Sequence, residues 1–209
     1  MTKKILLYGG AFNPPHAGHM ETAECGLSFM QDTDDFNELW FLPCYSDAFG
    51  KKSMVSFEHR VRMLELMLLP YSADKYKICT HEFDMGNKAG TYAVVKSIIN
   101  TYPNYHFSFL IGEDQANSMR SWRNSRNLIK TIQFVTMPRF YKDTLSWDQW
   151  YRKPPHCYVR NNITRITMTS TSLRNYIALK WLQFTRIGHV GLNTAVSKYI
   201  VMNKLYMEV

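Results

Sequence analysis

The 209-residue sequence predicts an α/β architecture: an open parallel sheet with helices on both faces, formed by residues 1–209 as one domain. Two patterns and one bulk property carry this expectation. Short apolar runs recur along the chain, and amphipathic stretches at helical spacing separate them. Hydrophobic residues make up 45% of the chain, enough for a sheet buried on both faces. A chain of this size buries roughly 70% of the surface its unfolded form exposes.

Taken in order, residues 4–8 form a first apolar run that ends in Gly9-Gly10, as a buried strand does at a turn. Residues 38–43, 77–83, 106–112 and 132–137 read as four further strands. Between the second and third, Phe57, Val61, Leu64 and Leu68 repeat at helical spacing, with Ser56 placed to cap the start and Pro70 to stop the helix. Tyr92, Val95, Ile98 and Ile99 repeat likewise before Pro103. Strands alternating with helices imply βαβ units, whose ligands bind in the loops after the strands. The least regular region, with Trp147, Trp150, Pro154 and Pro155, is expected to be a flap or long loop around 139–164.

Lysine and arginine number 25 against 17 aspartate and glutamate, a net charge of +8. Such an excess attracts anions, whether nucleic acid, acidic lipid or phosphorylated small molecules. No basic run of five or more occurs, so a cleft fits better than a nucleic-acid-binding tail. Four cysteines without a C-x-x-C pair do not make a disulfide scaffold. The first residues carry two lysines and a short apolar stretch cut off by Asn13-Pro14-Pro15, which is neither a secretory leader nor a membrane span. A reducing, cytoplasmic setting without a membrane partner is the expectation.

The first strand is followed by Gly9-Gly10-Ala11-Phe12-Asn13-Pro14-Pro15-His16-Ala17-Gly18-His19 and then by a plausible helix. Glycines let backbone approach a ligand closely, and a helix start presents free N–H groups to anions. His16 and His19 are three apart and share a helix face, where two imidazoles can donate to phosphate oxygens. No third ligand at a characteristic spacing suggests a metal site. This segment resembles the G-G-x-F-[DN]-P-x-H-x-G-H signature of nicotinamide or nicotinate mononucleotide adenylyltransferases. The shorter H-x-G-H is shared with pantetheine-phosphate adenylyltransferases, cytidylyltransferases and class I aminoacyl-tRNA synthetases.

A second segment, Met168-Thr169-Ser170-Thr171-Ser172-Leu173-Arg174, places hydroxyls before a helical pattern of Leu173, Ile177 and Trp181. A helix cap is the simpler reading, but hydroxyls and an arginine at a helix start also suit polyphosphate. It resembles the family's I-S-S-T-x-x-R motif, with Ser170, Thr171 and Arg174 matching and Met168 and Thr169 departing. His59-Arg60-Val61-Arg62-Met63 resembles the family's H-R-x-x-M helix, Thr91-Tyr92 its T-Y-T with Ala93 in place of the last Thr, and Gly112-Glu113-Asp114 its G-x-D. The closing stretch from Val190 to Tyr206 resembles the family's last helix.

The resemblance implies a Rossmann-like nucleotidyltransferase fold and transfer of AMP from ATP to a pyridine mononucleotide, giving NAD or its deamido form and pyrophosphate. By resemblance, His16, His19, Lys51 and Arg174 are the catalytic residues. Gly9, Gly10, Phe12, His16, His19, Asp114, Ser170, Thr171 and Arg174 hold ATP. Asn13, Lys51, Lys52, Thr91, Tyr92, Trp122 and Arg139 hold the mononucleotide, with Trp122 stacking on the pyridine. Mg²⁺ comes with ATP, held mainly by its phosphates, and the protein supplies no metal ligands of its own. The P-P-H-K of many bacterial nicotinate enzymes is missing, which tilts the acceptor towards the amide. ATP and a pyridine mononucleotide are the expected partners, nucleic acid is not, and homo-oligomerisation is left open. Two alternatives stand beside this reading: another small-substrate adenylyl- or cytidylyltransferase such as pantetheine-phosphate adenylyltransferase, and a basic nucleotide- or nucleic-acid-binding module without catalysis.

Overall fold

The computed structural model describes residues 2–34, 36–45, 54–86, 90–138, 149–159 and 168–207. Six strands form one sheet among them: β1 (Lys3–Gly10), β2 (Glu38–Pro43), β3 (Tyr76–Ile78), β4 (Tyr105–Gly112), β5 (Gln133–Met137) and β6 (Cys157–Tyr158). Their order is β3-β2-β1-β4-β5-β6, with every neighbouring pair parallel. The winding reverses direction between β1 and β4, which leaves a crevice above their carboxyl ends.

Period-two alternation sends neighbouring side chains of each strand to opposite faces. Leu6 and Tyr8 of β1 pack on one face with Met20, Ala23 and Leu27 of α1 (Ala17–Asp34) and Met63 and Leu64 of α2 (Phe57–Leu68). Ile5 and Leu7 pack on the other with Val94, Val95 and Ile98 of α4 (Thr91–Thr101). The first face also takes α7 (Ser170–Leu179), α8 (Trp181–Ile187) and α9 (Thr194–Met202) through Leu173, Ile177, Phe184, Val196 and Ile200. The second takes α5 (Glu113–Ser118) and α6 (Ser125–Thr131) through Ala116 and Leu128.

Ser56 caps α2, accepting from the His59 N–H, and the helix stops two residues before Pro70, as expected. Three sequence-based expectations need correction. The third strand covers only Tyr76–Ile78, because Thr80 starts a single helical turn, α3 (His81–Asp84). Glu82 and Asp84 in that turn favour its positive N-terminal end. Trp181 does not continue α7, since the backbone breaks at Lys180 and α8 begins there. Within the segment read as a flap, residues 149–159 form a 3-10 turn (Trp150–Arg152) and β6, with Tyr151 buried in the core. Trp147 lies outside the described residues.

Candidate active site

A cleft of about 620 Å³ opens above the carboxyl ends of β1 and β4, at the reversal of strand order. The first loop forms one wall, and its geometry depends on aromatic packing. A Cβ on Gly9 would stand 2.6 Å from Phe109 Cζ, and one on Gly10 would stand 2.9 Å from Phe12 Cζ. Neither glycine has a positive φ; the left-handed residue of the loop is Phe12, at φ 48°. Phe12 is buried against Tyr8, Phe41 and the His19 ring, so it supports the loop from beneath and does not line the cleft.

His16 and His19 stand together at the start of α1, their ring centroids 3.8 Å apart. The His16 backbone N–H donates to His19 Nδ1 at 3.1 Å. An imidazole nitrogen that accepts carries no proton, so this contact assigns the His19 proton to Nε2, as a donor. Both rings line the cleft.

The second loop docks directly on the first. Arg174 Nη1 donates to the Asn13 carbonyl at 2.8 Å and Nη2 to Thr171 Oγ1 at 3.3 Å. Ser170 Oγ donates to the Pro14 carbonyl at 2.9 Å. Thr169, whose hydroxyl replaces the motif's serine, caps α7 in a reciprocal box with Ser172. Asn13 is a junction: its Oδ1 accepts from the Tyr206 hydroxyl at 2.8 Å and from the Val55 N–H at 3.3 Å. Burial pushes the Tyr206 hydroxyl far above its usual range, which keeps it a donor.

Of the residues predicted from sequence, Gly9, Gly10, Asn13, His16, His19, Thr91, Asp114, Trp122, Ser170, Thr171 and Arg174 line this one cleft. Tyr92, on α4 itself, does not; it is partly buried and packs against the core. Lys51, Lys52 and Arg139 lie outside the described residues.

Three further residues shape the site. Arg60 is fully buried and donates to the carbonyls of Ala11 at 2.9 Å, Tyr45 at 3.0 Å and Val55 at 3.2 Å, which ties the first loop to the chain after β2 and before α2. The H-R-x-x-M pattern marked its position without revealing this job. Glu82 lines the cleft and accepts from the Tyr45 N–H at 3.1 Å; burial pushes its carboxyl above the usual range, against the pull of that N–H and of Arg60. Reading 77–83 as strand hid Glu82. Arg123, next to Trp122, also lines the cleft and lies against Gly90 at the start of α4. The Trp122 Nε1 is buried with no hydrogen-bond partner. Among the described residues, no three His, Cys, Asp or Glu side chains gather as metal ligands.

The family model described as cytidylyltransferase-like matches residues 7–175, from β1 to the helix that carries Arg174. A Bacillus licheniformis protein named "Probable nicotinate-nucleotide adenylyltransferase" is 33% identical over 138 residues, covering 66% of this chain and 70% of its own. A protein of the same name from Listeria innocua is 30% identical over 178 residues, covering 85% and 87%. A solved structure of Plasmodium falciparum nicotinic acid mononucleotide adenylyltransferase complexed with NaAD shares the fold, with a TM-score of 0.75 over 98% of both chains at 21% identity. The matched span begins in the strand that sets up the histidine pair and ends one residue past the arginine that locks the second loop to it. The chain belongs to the cytidylyltransferase-like family and, within it, to the nicotinate-nucleotide adenylyltransferases.

Proposed function

We propose that the protein joins the phosphate of nicotinate mononucleotide to the adenylyl group of ATP and releases pyrophosphate, a step of NAD biosynthesis. The observation that carries this reading is the docking of the two loops, Arg174 on the Asn13 carbonyl and Ser170 on that of Pro14. It sets the histidine pair and the α7 start over one space, where a triphosphate can be gripped from both sides.

The chemistry requires positioning and charge stabilisation rather than a nucleophilic side chain. A phosphate monoester has its second pKa near 6, so at neutral pH the acceptor is already a dianion. Its oxygen bonds to the α-phosphorus, the bond from that phosphorus to the β-bridging oxygen breaks, and pyrophosphate leaves with the electron pair. Holding two polyanions in line and stabilising charge on the phosphoryl oxygens supplies the rate. In this reading His19 Nε2 donates to the α-phosphate, His16 steadies the ATP phosphates, and Arg174 with Ser170 and Thr171 receives the pyrophosphate. Lys51, Lys52 and Arg139 are assigned to the mononucleotide, and Mg²⁺ arrives as part of the Mg–ATP substrate.

The cleft's polar groups also bear on the acceptor. The start of α4, with no side-chain cap at Gly90, stands beside Arg123, and Trp122 adds a buried donor. Donors and positive charge suit a ring carboxylate. Together with the names of the relatives, they reverse the tilt towards the amide that the missing P-P-H-K suggested. Incubation with Mg²⁺, ATP and either mononucleotide, with products separated by chromatography, tests the proposal. The expected product is the deamido dinucleotide, with kcat/KM for nicotinate mononucleotide at least tenfold above that for the amide, on the order of 1.4 kcal/mol. No dinucleotide from either acceptor would refute it.

A further inference from the structure

A carboxylate beside the cleft, Glu113, is not accounted for by the reaction. It is the first residue of α5, immediately before Asp114, yet it does not line the cleft with its neighbour. Its Oε1 instead accepts from the Tyr151 hydroxyl at 3.2 Å, the Tyr158 hydroxyl at 3.2 Å and Arg152 Nη2 at 3.3 Å. The Arg152 guanidinium is itself buried and lies 3.7 Å over the Tyr158 ring. Burial pushes the Tyr151 hydroxyl up to about 12 and raises that of Tyr158, so both remain donors.

The same segment grips α5 at two more points. Trp150 Nε1 donates to the Ala116 carbonyl at 3.2 Å, and the Tyr151 hydroxyl also contacts Asn117 Oδ1 at 3.0 Å. A six-residue helix has little stability of its own, so its orientation follows from what holds it. Space at its start is tight as well: a Cβ on Gly112 would stand 2.6 Å from Asp114 Oδ1.

We infer that Glu113 is a positioning residue for nucleotide binding, gathering Tyr151, Arg152 and Tyr158 onto one carboxylate oxygen and thereby fixing the first turn of α5 so that Asp114 is presented to the cleft. The inference rests on the reading that Asp114 holds the nucleotide. The G-x-D pattern leaves its middle position open, and in this chain that position carries the anchor.

A double-mutant cycle in the full chain tests it, with KM for ATP, kcat and thermal midpoint measured for each variant. Glu113→Ala is expected to raise KM for ATP about fivefold, with kcat moving less, as lost ground-state binding does. Glu113→Gln keeps an acceptor oxygen and recovers most of that loss. In the Asp114→Ala background, Glu113→Ala adds no further rise in KM, because its effect passes through Asp114. Should Glu113→Ala fail to fold, Tyr158→Phe removes a single donor and replaces it in the cycle, with a KM rise of about twofold and the same lack of additivity. A KM effect of the anchor variant that multiplies with that of Asp114→Ala overturns the anchor alone, as does an unchanged KM in the folded anchor variant. An unchanged KM in Asp114→Ala overturns both the inference and the reading beneath it.

Discussion

The contact from the His16 backbone N–H to His19 Nδ1 decides what the second histidine can do, since it leaves Nε2 as the donor. Removing that donor should cost turnover and leave the fold alone: His19→Ala is expected to lower kcat about a hundredfold to a thousandfold, as loss of one oxyanion donor does. Circular dichroism and a steady-state assay on the same preparation check it, and a near-normal kcat would remove His19 from the mechanism. At this scale the sequence was informative where a side chain lines the cleft and less so where it supports one that does. His16, His19, Ser170 and Arg174 stand on the cleft as their motifs implied. Phe12 and Tyr92 belong to equally clear motifs but do not line the cleft, Phe12 being buried beneath the loop and Tyr92 partly buried against the core, because a pattern does not separate a residue that lines a cleft from one that props the backbone. Tyr206 reaches Asn13 across nearly the whole chain, a contact no local pattern could announce.

Among the elements, the long apolar runs of β1, β2, β4 and β5 were legible because strands buried on both faces admit little else. The short ones were less so: the apolar pattern extends the third strand over residues 77–83 where β3 covers only Tyr76–Ile78, and β6 falls in the stretch expected to be a flap. β3 and β6 are three and two residues long, and their pairing comes from the edge of an existing sheet rather than from their own composition. Arg60 illustrates how elements are joined around the site, with one guanidinium serving the Ala11 carbonyl of the first loop and the Tyr45 and Val55 carbonyls between β2 and α2. Lysine keeps the charge but cannot form that planar fork, so Arg60→Lys should leave buried carbonyls without donors. The expected loss is about 2–3 kcal/mol, read as a lower urea midpoint with an unchanged m-value. An unchanged midpoint would show that the three contacts carry no stability.

Across the whole molecule, the sheet has chemically distinct ends. Its carboxyl end holds the cleft, while at the opposite end Glu38 of β2 pairs with Lys3 of β1 and with Lys77 of β3 at 3.0 Å, and accepts from Trp40 Nε1 at 2.9 Å. Burial alone would raise the Glu38 carboxyl, but Lys3, Trp40 and Lys77 outweigh it and hold it below its usual range. A carboxylate lowered in the folded state contributes stability above its unfolded value, near 4.5, and loses it as pH falls through the folded one. Glu38→Gln should therefore melt about 2–4 °C lower at pH 7, an effect on the order of 1 kcal/mol given the partly exposed lysines, with the gap closing as pH falls below 4.5 and through the lowered folded-state value. A gap independent of pH would deny Glu38 that ionic role.

The +8 charge draws anions towards the molecule, while the cleft itself is lined by Arg123 and Arg174 beside the carboxylates of Glu82 and Asp114. The proposed reaction is defined by which group of ATP is transferred. ATP labelled at the α-phosphorus, incubated with Mg²⁺, nicotinate mononucleotide and the protein, tests this most directly. All transferred label is predicted in the dinucleotide and none in pyrophosphate, with transfer lost in His19→Ala. Label released as free AMP, or a dinucleotide formed equally well by His19→Ala, would contradict the account.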